Sequence, residues 1–181
     1  MLVVAALVFA LDQLSKAWIS ANMLSHDIRP VIQGIVRLRY TENTGAAFGL
    51  FQGGTGVLSI AAIAIITAIV LSATRMGSRN PTLMLALGLV SGGAIGNLSD
   101  RLSLGYVRDF IEVYALRVDF QGVVYTFPVF NVADSAITVG VLLIMAILLF
   151  TKQEGTQPKT ETPRYTVPRN SPWFKGLRTE D

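Results

Sequence analysis

Four long apolar segments constrain this chain most. Residues 55–74, TGVLSIAAIAIITAIVLSAT, run for 20 positions without a charged side chain, which is about the length of a helix that crosses a bilayer. Three more apolar segments lie at 1–23, 81–98 and 133–150. We therefore predict an all-α polytopic membrane protein with four transmembrane helices. The first segment carries charges inside its apolar run, unlike a cleaved signal peptide, so we interpret it as a retained span.

The composition supports this class and excludes several chemistries. Hydrophobic residues make up 51% of the chain and charged residues 15%, whereas soluble domains carry about 25% charged residues. The absence of cysteine excludes disulfides and thiolate sites, and the single histidine, His26, makes a zinc centre or a Ser-His-Asp triad difficult to assemble. We predict no metal and no cofactor. The net charge of +3 comes from scattered residues, so we expect membrane lipids and not nucleic acid as partners.

The segments between the spans suggest strands and a tail. Within residues 31–41, Val36, Leu38 and Tyr40 alternate with Arg37 and Arg39, which predicts a half-exposed strand. Residues 117–129 are rich in β-formers around Gln121-Gly122, a plausible turn. Both stretches lie on the same side of the membrane, and we expect them to pair into a small sheet at its surface. We predict one membrane-embedded domain over 1–150, followed by a disordered tail over 151–181 that holds four of the seven prolines.

The distribution of basic residues gives an orientation. With four spans, both termini and the loop at 75–80 share one side of the membrane. Lys and Arg are denser there than in the two long loops, which favours cytoplasmic termini.

Two charges interrupt the first span. Asp12 and Lys16 are four positions apart, so they share a helix face and can pair. Because charges inside a membrane are costly, they are functional candidates by default. Three interpretations stay open: a pair that fixes helix packing, a coupling site of a small ion-coupled transporter, or the lysine base of a Ser/Lys membrane peptidase.

The third span carries two patterns with a spacing of four. Small residues that would let another helix approach closely recur at Gly88, Gly92 and Gly96. A neighbouring face places an amide and a guanidinium near the end of the span, at Gly93, Asn97 and Arg101. This second pattern fits either an interfacial arginine that reaches the phosphates or a polar network that faces a site.

Two further acids lie against apolar segments. Asp109 follows span three within VRDFI, and Asp134 lies three residues after Asn131 at the start of span four. Taken singly, they fit a solvated loop acid and a first-turn acid behind an Asn N-cap. Brought together in a partly apolar setting, they would share a proton, so that one activates water while the other donates a proton.

The ordered set of motifs resembles a known family. DQLSK at 12–16, TENTGAAFG at 41–49, GGAIGNLSDR at 92–101, VRDFI at 107–111 and FNVADS at 130–135 are similar to those of the bacterial lipoprotein signal peptidases, or signal peptidase II. The resemblance covers about residues 1–150. It implies a membrane aspartic protease that removes the signal peptide from diacylglyceryl-modified prolipoproteins by cutting before the lipidated cysteine.

The resemblance also implies a site and a location. Asp109 and Asp134 become the expected catalytic pair. The supporting residues that the motifs carry over are Asp12, Lys16, Asn43, Gly93, Asn97, Arg101, Asn131 and Ala133. The family places both termini in the cytoplasm and a small β-cradle on the outer face of the bacterial inner membrane, with the active site toward that face. We expect a monomer.

Overall fold

Four long helices dominate the fold. The computed structural model describes residues 1–45, 54–76, 80–120 and 123–150. The helices are α1 (Leu2–Asn22), α2 (Thr55–Met76), α3 (Pro81–Leu104) and α4 (Val132–Phe150). All four have the length and apolar composition needed to cross a membrane, which confirms the four predicted spans.

Helix α3 is six residues longer than predicted at its C-terminal end. It continues through a polar segment to Leu104 and is capped by Gly105, whose φ of +84° is left-handed. Hydropathy ended the span at residue 98 because polar residues follow. The added segment includes Asp100, which is fully buried and pairs with Lys16 and Arg108 on other elements, so its polar character does not end the helix.

Glycines on two faces of α3 let two helices approach closely. A Cβ on Gly92 would lie 2.6 Å from the carbonyl oxygen of Ala5 in α1, and a Cβ on Gly93 would lie 2.5 Å from that of Ala133 in α4. Gly88 and Gly96 also face α1. The predicted glycine stripe is therefore a helix-packing surface, and α3 lies between α1 and α4.

The strands form two separate antiparallel sheets. The first has the order β1-β2-β3, from β1 (Ile28–Ile32), β2 (Val36–Asn43) and β3 (Val107–Val113). The second pairs β4 (Arg117–Phe120) with β5 (Val123–Thr126). The predicted pairing of stretch 31–41 with 117–129 is wrong: β2 pairs with β3, and β4 pairs with β5. The Gln121-Gly122 turn and the tail at 151–181 lie outside the described residues.

Strand β3 was not recognised in the sequence because two of its buried positions are acidic. Asp109 is 2% exposed and Glu112 is fully buried, so hydropathy does not alternate along the strand. The backbone N–H groups of Phe110 and Ile111 both donate to the carbonyl oxygen of Phe130. These bonds join β3 to the segment before α4 and bring the two candidate acids to the same end of the helix bundle.

Candidate active site

Asp109 is a buried acid held by two amides. Asn43 Nδ2 donates to its Oδ2 at 2.9 Å, and Asn131 Nδ2 donates to its Oδ1 at 2.7 Å. Burial raises the pKa of Asp109 to about 7, and the nearby charge of Asp134 raises it too, although both amide bonds oppose the rise. Asp109 therefore gains or loses its proton near neutral pH.

Asp134 occupies the first turn of α4. Asn131 Oδ1 accepts a hydrogen bond from the backbone N–H of Asp134 at 2.9 Å, and the N–H of Asn131 donates to Asp134 Oδ2 at 3.2 Å. This reciprocal pair is a capping box and confirms Asn131 as the N-cap. Asn97 Nδ2 donates to the other oxygen, Oδ1, at 2.7 Å.

Asn97 and Asn131 connect the two acids. Asn131 Nδ2 donates to Asn97 Oδ1 at 3.1 Å as well as to Asp109. Lys16 Nζ also donates to Asn97 Oδ1, at 2.9 Å. Because two donors occupy the oxygen of Asn97, its Nδ2 is the atom that faces Asp134.

A cavity of about 500 Å³ opens beside the acids. Asp109, Asp134, Asn43, Asn97 and Arg101 supply its polar part, and its apolar wall includes Phe127, Val129, Phe130, Ile137 and Val139. The buried Nε–H of Arg101 has no hydrogen-bond partner among the described residues. The cavity therefore combines two carboxylates, the cation Arg101, and a wall that suits apolar groups.

Behind the acids lies a buried charge cluster made of Asp12, Lys16, Asp100 and Arg108. Lys16 Nζ lies 2.8 Å from Asp12 Oδ2 and 3.3 Å from Asp100 Oδ2, and all three side chains are fully buried. The predicted pairing of Asp12 with Lys16 is thus confirmed. Asp12 Oδ1 also accepts the backbone N–H of Ala133 at 3.0 Å, which ties α1 to the start of α4.

The structure joins all the residues expected at the site. Asp109, Asp134, Asn43, Asn97 and Arg101 line the cavity, and the other five support them through the bonds and contacts given above. Sequence reasoning missed three members of the network: Gln13, Asp100 and Arg108. All three lie within the recognised motifs, at DQLSK, GGAIGNLSDR and VRDFI, but only the tertiary structure shows that they contact one another.

Comparison with known proteins agrees with this arrangement. The family model for signal peptidase (SPase) II matches residues 4–150. The chain belongs to the signal peptidase II family. A lipoprotein signal peptidase of Syntrophomonas wolfei is 42% identical over 149 residues, covering 82% of this chain and 92% of the relative. That of Moorella thermoacetica is 41% identical over 159 residues, covering 87% and 98%.

Solved structures give the same result for this signal peptidase II family member. A bacterial membrane enzyme determined by the in meso method at 2.3 Å resolution has a TM-score of 0.74 and 34% identity, covering 84% of this chain and 90% of that one. A second, at 1.9 Å resolution, has a TM-score of 0.71 and 34% identity, covering 83% and 92%. The chain is therefore a peptidase by family and a bacterial membrane protein.

Proposed function

We propose that this chain removes the signal peptide from diacylglyceryl-modified prolipoproteins, with Asp109 and Asp134 as an aspartic catalytic pair, and cuts before the lipidated cysteine. The observation that carries the proposal is that both carboxylates line one cavity and are joined through Asn131 and Asn97. The relatives that are named lipoprotein signal peptidases support the choice of substrate.

Charge balance supports a pair that shares one proton. Asp109, Asp134 and the cation Arg101 line the same cavity. Two ionised carboxylates beside one cation would leave a net negative charge in a buried site, whereas one proton on the pair makes the group neutral. Asp109, with its pKa of about 7, is the member we assign as protonated. Asp134, at the N-terminus of α4, is the carboxylate.

These assignments give a balanced hydrolysis. Asp134 takes a proton from water as the water oxygen attacks the scissile carbonyl carbon, and Asp109 donates its proton to the carbonyl oxygen. When the tetrahedral intermediate collapses, Asp134 returns its proton to the leaving nitrogen and Asp109 recovers one from a hydroxyl. Arg101, a cation that lines the cavity, is the group we assign to hold an oxygen of the substrate.

The topology supports a location for this chemistry. Asp109 follows the C-terminal end of α3 and Asp134 lies in the first turn of α4, whereas Met1 contacts the N-terminal half of α3 at Gly88, so the acids lie away from the side of the bundle that holds Met1. With cytoplasmic termini, as proposed from the density of basic residues, the site faces the outer side of the inner membrane. The sheet β1-β2-β3 then forms the outer cradle. Membrane lipids surround the spans, and a monomer suffices because one chain supplies the whole site.

The two other interpretations fit the structure less well. Lys16 contacts two carboxylates and Asn97, and it does not line the cavity. A fully buried ammonium held by two acids is poorly suited to act as the base of a Ser/Lys peptidase. The same enclosure argues against Asp12 and Lys16 as an ion-coupling site of a transporter.

The test is cleavage of a diacylglyceryl-modified prolipoprotein by purified protein and its Asp109→Asn and Asp134→Asn variants. Each replacement has nearly the same shape as aspartate but cannot exchange the proton, so we expect a loss of about a thousandfold or more in kcat. Mass spectrometry of the parent's product should show the lipidated cysteine as its new N-terminus.

The matched control is Glu42→Gln, which neutralises an exposed acid on β2 and should retain activity. Unfolding temperatures of all variants in detergent will show that they are folded. Processing at the parent's rate by either aspartate variant would contradict the catalytic pair.

A further inference from the structure

Arg108 makes an unusual number of bonds for a residue outside the cavity lining. Its Nη2 donates to Asp100 Oδ1 at 2.7 Å, its Nε donates to Asp100 Oδ2 at 3.2 Å, and its backbone N–H donates to the same Oδ2 at 3.0 Å. Nη2 also donates to Gln13 Oε1 at 3.2 Å. The bidentate contact with Asp100 fixes β3 to α3, and the bond to Gln13 fixes β3 to α1.

The backbone of Arg108 is held from the other side as well. Its carbonyl oxygen accepts a hydrogen bond from Asn131 Nδ2 at 3.3 Å, and Asn131 Nδ2 also donates to Asp109. The position of Asp109, the next residue along β3, therefore depends on where Arg108 is anchored.

Arg108 also completes the charge balance of the buried cluster. Asp12 and Asp100 carry two negative charges, and Lys16 and Arg108 carry two positive ones. The two acids and Lys16 are fully buried, and the side chain of Arg108 is 14% exposed. In such surroundings an unbalanced charge would act over a long distance, because little water screens it.

We propose that Arg108 is a positioning residue for the reaction: it anchors β3 beside Asp109 and keeps the buried charge cluster neutral behind the carboxylate pair. The inference rests on the proposed function, since it concerns the protons of that pair.

Several charged groups surround the pair, and the inference isolates one of them. They are Asp12 and Lys16 on α1, Asp100 and Arg101 on α3, and Arg108 on β3, whereas Glu42 on β2 is exposed. Loss of Arg108 leaves the cluster with one net negative charge, which favours the protonated forms of both catalytic acids. Loss of Asp100 leaves one net positive charge, which favours the ionised forms.

The experiment measures kcat/KM against pH for four variants with the same lipidated substrate. Arg108→Gln should move the whole bell-shaped profile about one pH unit to higher pH, and Asp100→Asn should move it to lower pH. The double variant Asp100→Asn/Arg108→Gln restores neutrality and should return the profile to the parent's position. Arg108→Lys keeps the charge but not the bidentate contact, so its profile should lose height without moving.

Shifts of the pH profile in opposite directions for Arg108→Gln and Asp100→Asn distinguish this role from a loss of folded protein. A loss of folded protein lowers a profile without moving it along the pH axis. Profiles that keep their position, or that move in the same direction for Arg108→Gln and Asp100→Asn, would overturn the proposal. If Arg108→Gln does not fold, Asp100→Asn and the double variant still show in which direction the cluster's charge moves the pH profile. Inactive Asp109→Asn and Asp134→Asn with unmoved Arg108 profiles would reject only the role of Arg108, whereas an active aspartate variant would reject the pair itself.

Discussion

The two groups of buried acids in this protein differ in how completely they are paired. In the buried charge cluster, Asp12 and Asp100 meet Lys16 and Arg108 at 2.7–3.3 Å. On the other side of Asn97 and Asn131, Asp109 and Asp134 are held by neutral amides and share a cavity with one cation, Arg101.

The difference shows how one polar core can support both structure and chemistry. An acid that is paired with a cation and hydrogen-bonded stays ionised and holds elements together. An acid that is buried without a paired cation keeps a proton within reach of neutral pH: burial and the charge of Asp134 raise the pKa of Asp109 to about 7, although the amide bonds oppose the rise. The amides of Asn97 and Asn131 separate the two groups and hold Asp109 and Asp134 in place.

The largest effect on stability should come from breaking the paired group. Lys16→Met leaves Asp12 and Asp100 with Arg108 as their remaining cation, and removal of one partner from a buried ion pair costs about 3–5 kcal/mol. Thermal unfolding in detergent measures this loss. The double variant Asp12→Asn/Lys16→Met leaves no uncompensated charge and should recover part of the stability. An unchanged unfolding temperature for Lys16→Met would show that the cluster contributes little.

The second prediction concerns the pH dependence of stability, for which Asp109 and Glu112 on β3 should act in opposite directions. The pKa of Asp109 is raised to about 7 by burial and by Asp134, so the folded state keeps a proton that the unfolded chain loses near pH 4. Stability should therefore fall by a few kcal/mol as the pH rises from about 4 to 7, and Asp109→Asn should flatten this slope. Unfolding temperatures over that range provide the measurement.

Glu112 supplies the opposite case. Burial acts to raise the pKa of Glu112, but hydrogen bonds and charge from Arg37 outweigh it and lower the value. Its contribution to stability is therefore present above its unfolded pKa, near 4.3, and lost as the pH falls further. Glu112→Gln should remove that acid-side loss and leave the slope between pH 4 and 7 unchanged. Identical slopes for the parent and Asp109→Asn would contradict the raised pKa.

A smaller effect should follow from changing the spacing behind the reactive pair. A Cβ on Gly93 would lie 2.5 Å from the backbone oxygen of Ala133, so Gly93→Ala must move α4 away from α3, at about 1–3 kcal/mol. Because Asn97 on α3 holds Asp134 on α4, kcat should fall more than KM rises. Gly56→Ala, which meets nothing within 4 Å, is the matched control. Equal kinetics for the two variants would show that this close approach does not position Asp134.

Much of the fold follows from patterns along the chain. The helices α1, α2 and α4 were predicted to within two residues at each end, because a bilayer-length apolar segment has few alternatives to a helix. The C-terminal boundary of α3 was wrong because hydropathy treats a polar residue as the end of a span, whereas Asp100 finds partners inside the protein. The sheet pairing was wrong because β3 has acids at buried positions.

The candidate site was also predicted only in part from the sequence. Asp109, Asp134 and their asparagines were found from motifs that resemble a family, and the pairing of Asp12 with Lys16 followed from helical spacing. The contact of Arg108 with Asp100 and Gln13 followed from no local pattern, since it joins a strand to two helices.

The sequence by itself determined that this chain is a four-span membrane protein, and which acids are candidates for chemistry, because bilayer length and helical periodicity are local properties. Only the tertiary structure decided which acids are paired with cations and which are held by amides and left to exchange a proton. That outcome depends on contacts between residues far apart in sequence, such as Lys16 with Asn97 and Asn43 with Asp109, and those contacts exist only once the helices and β3 have packed together.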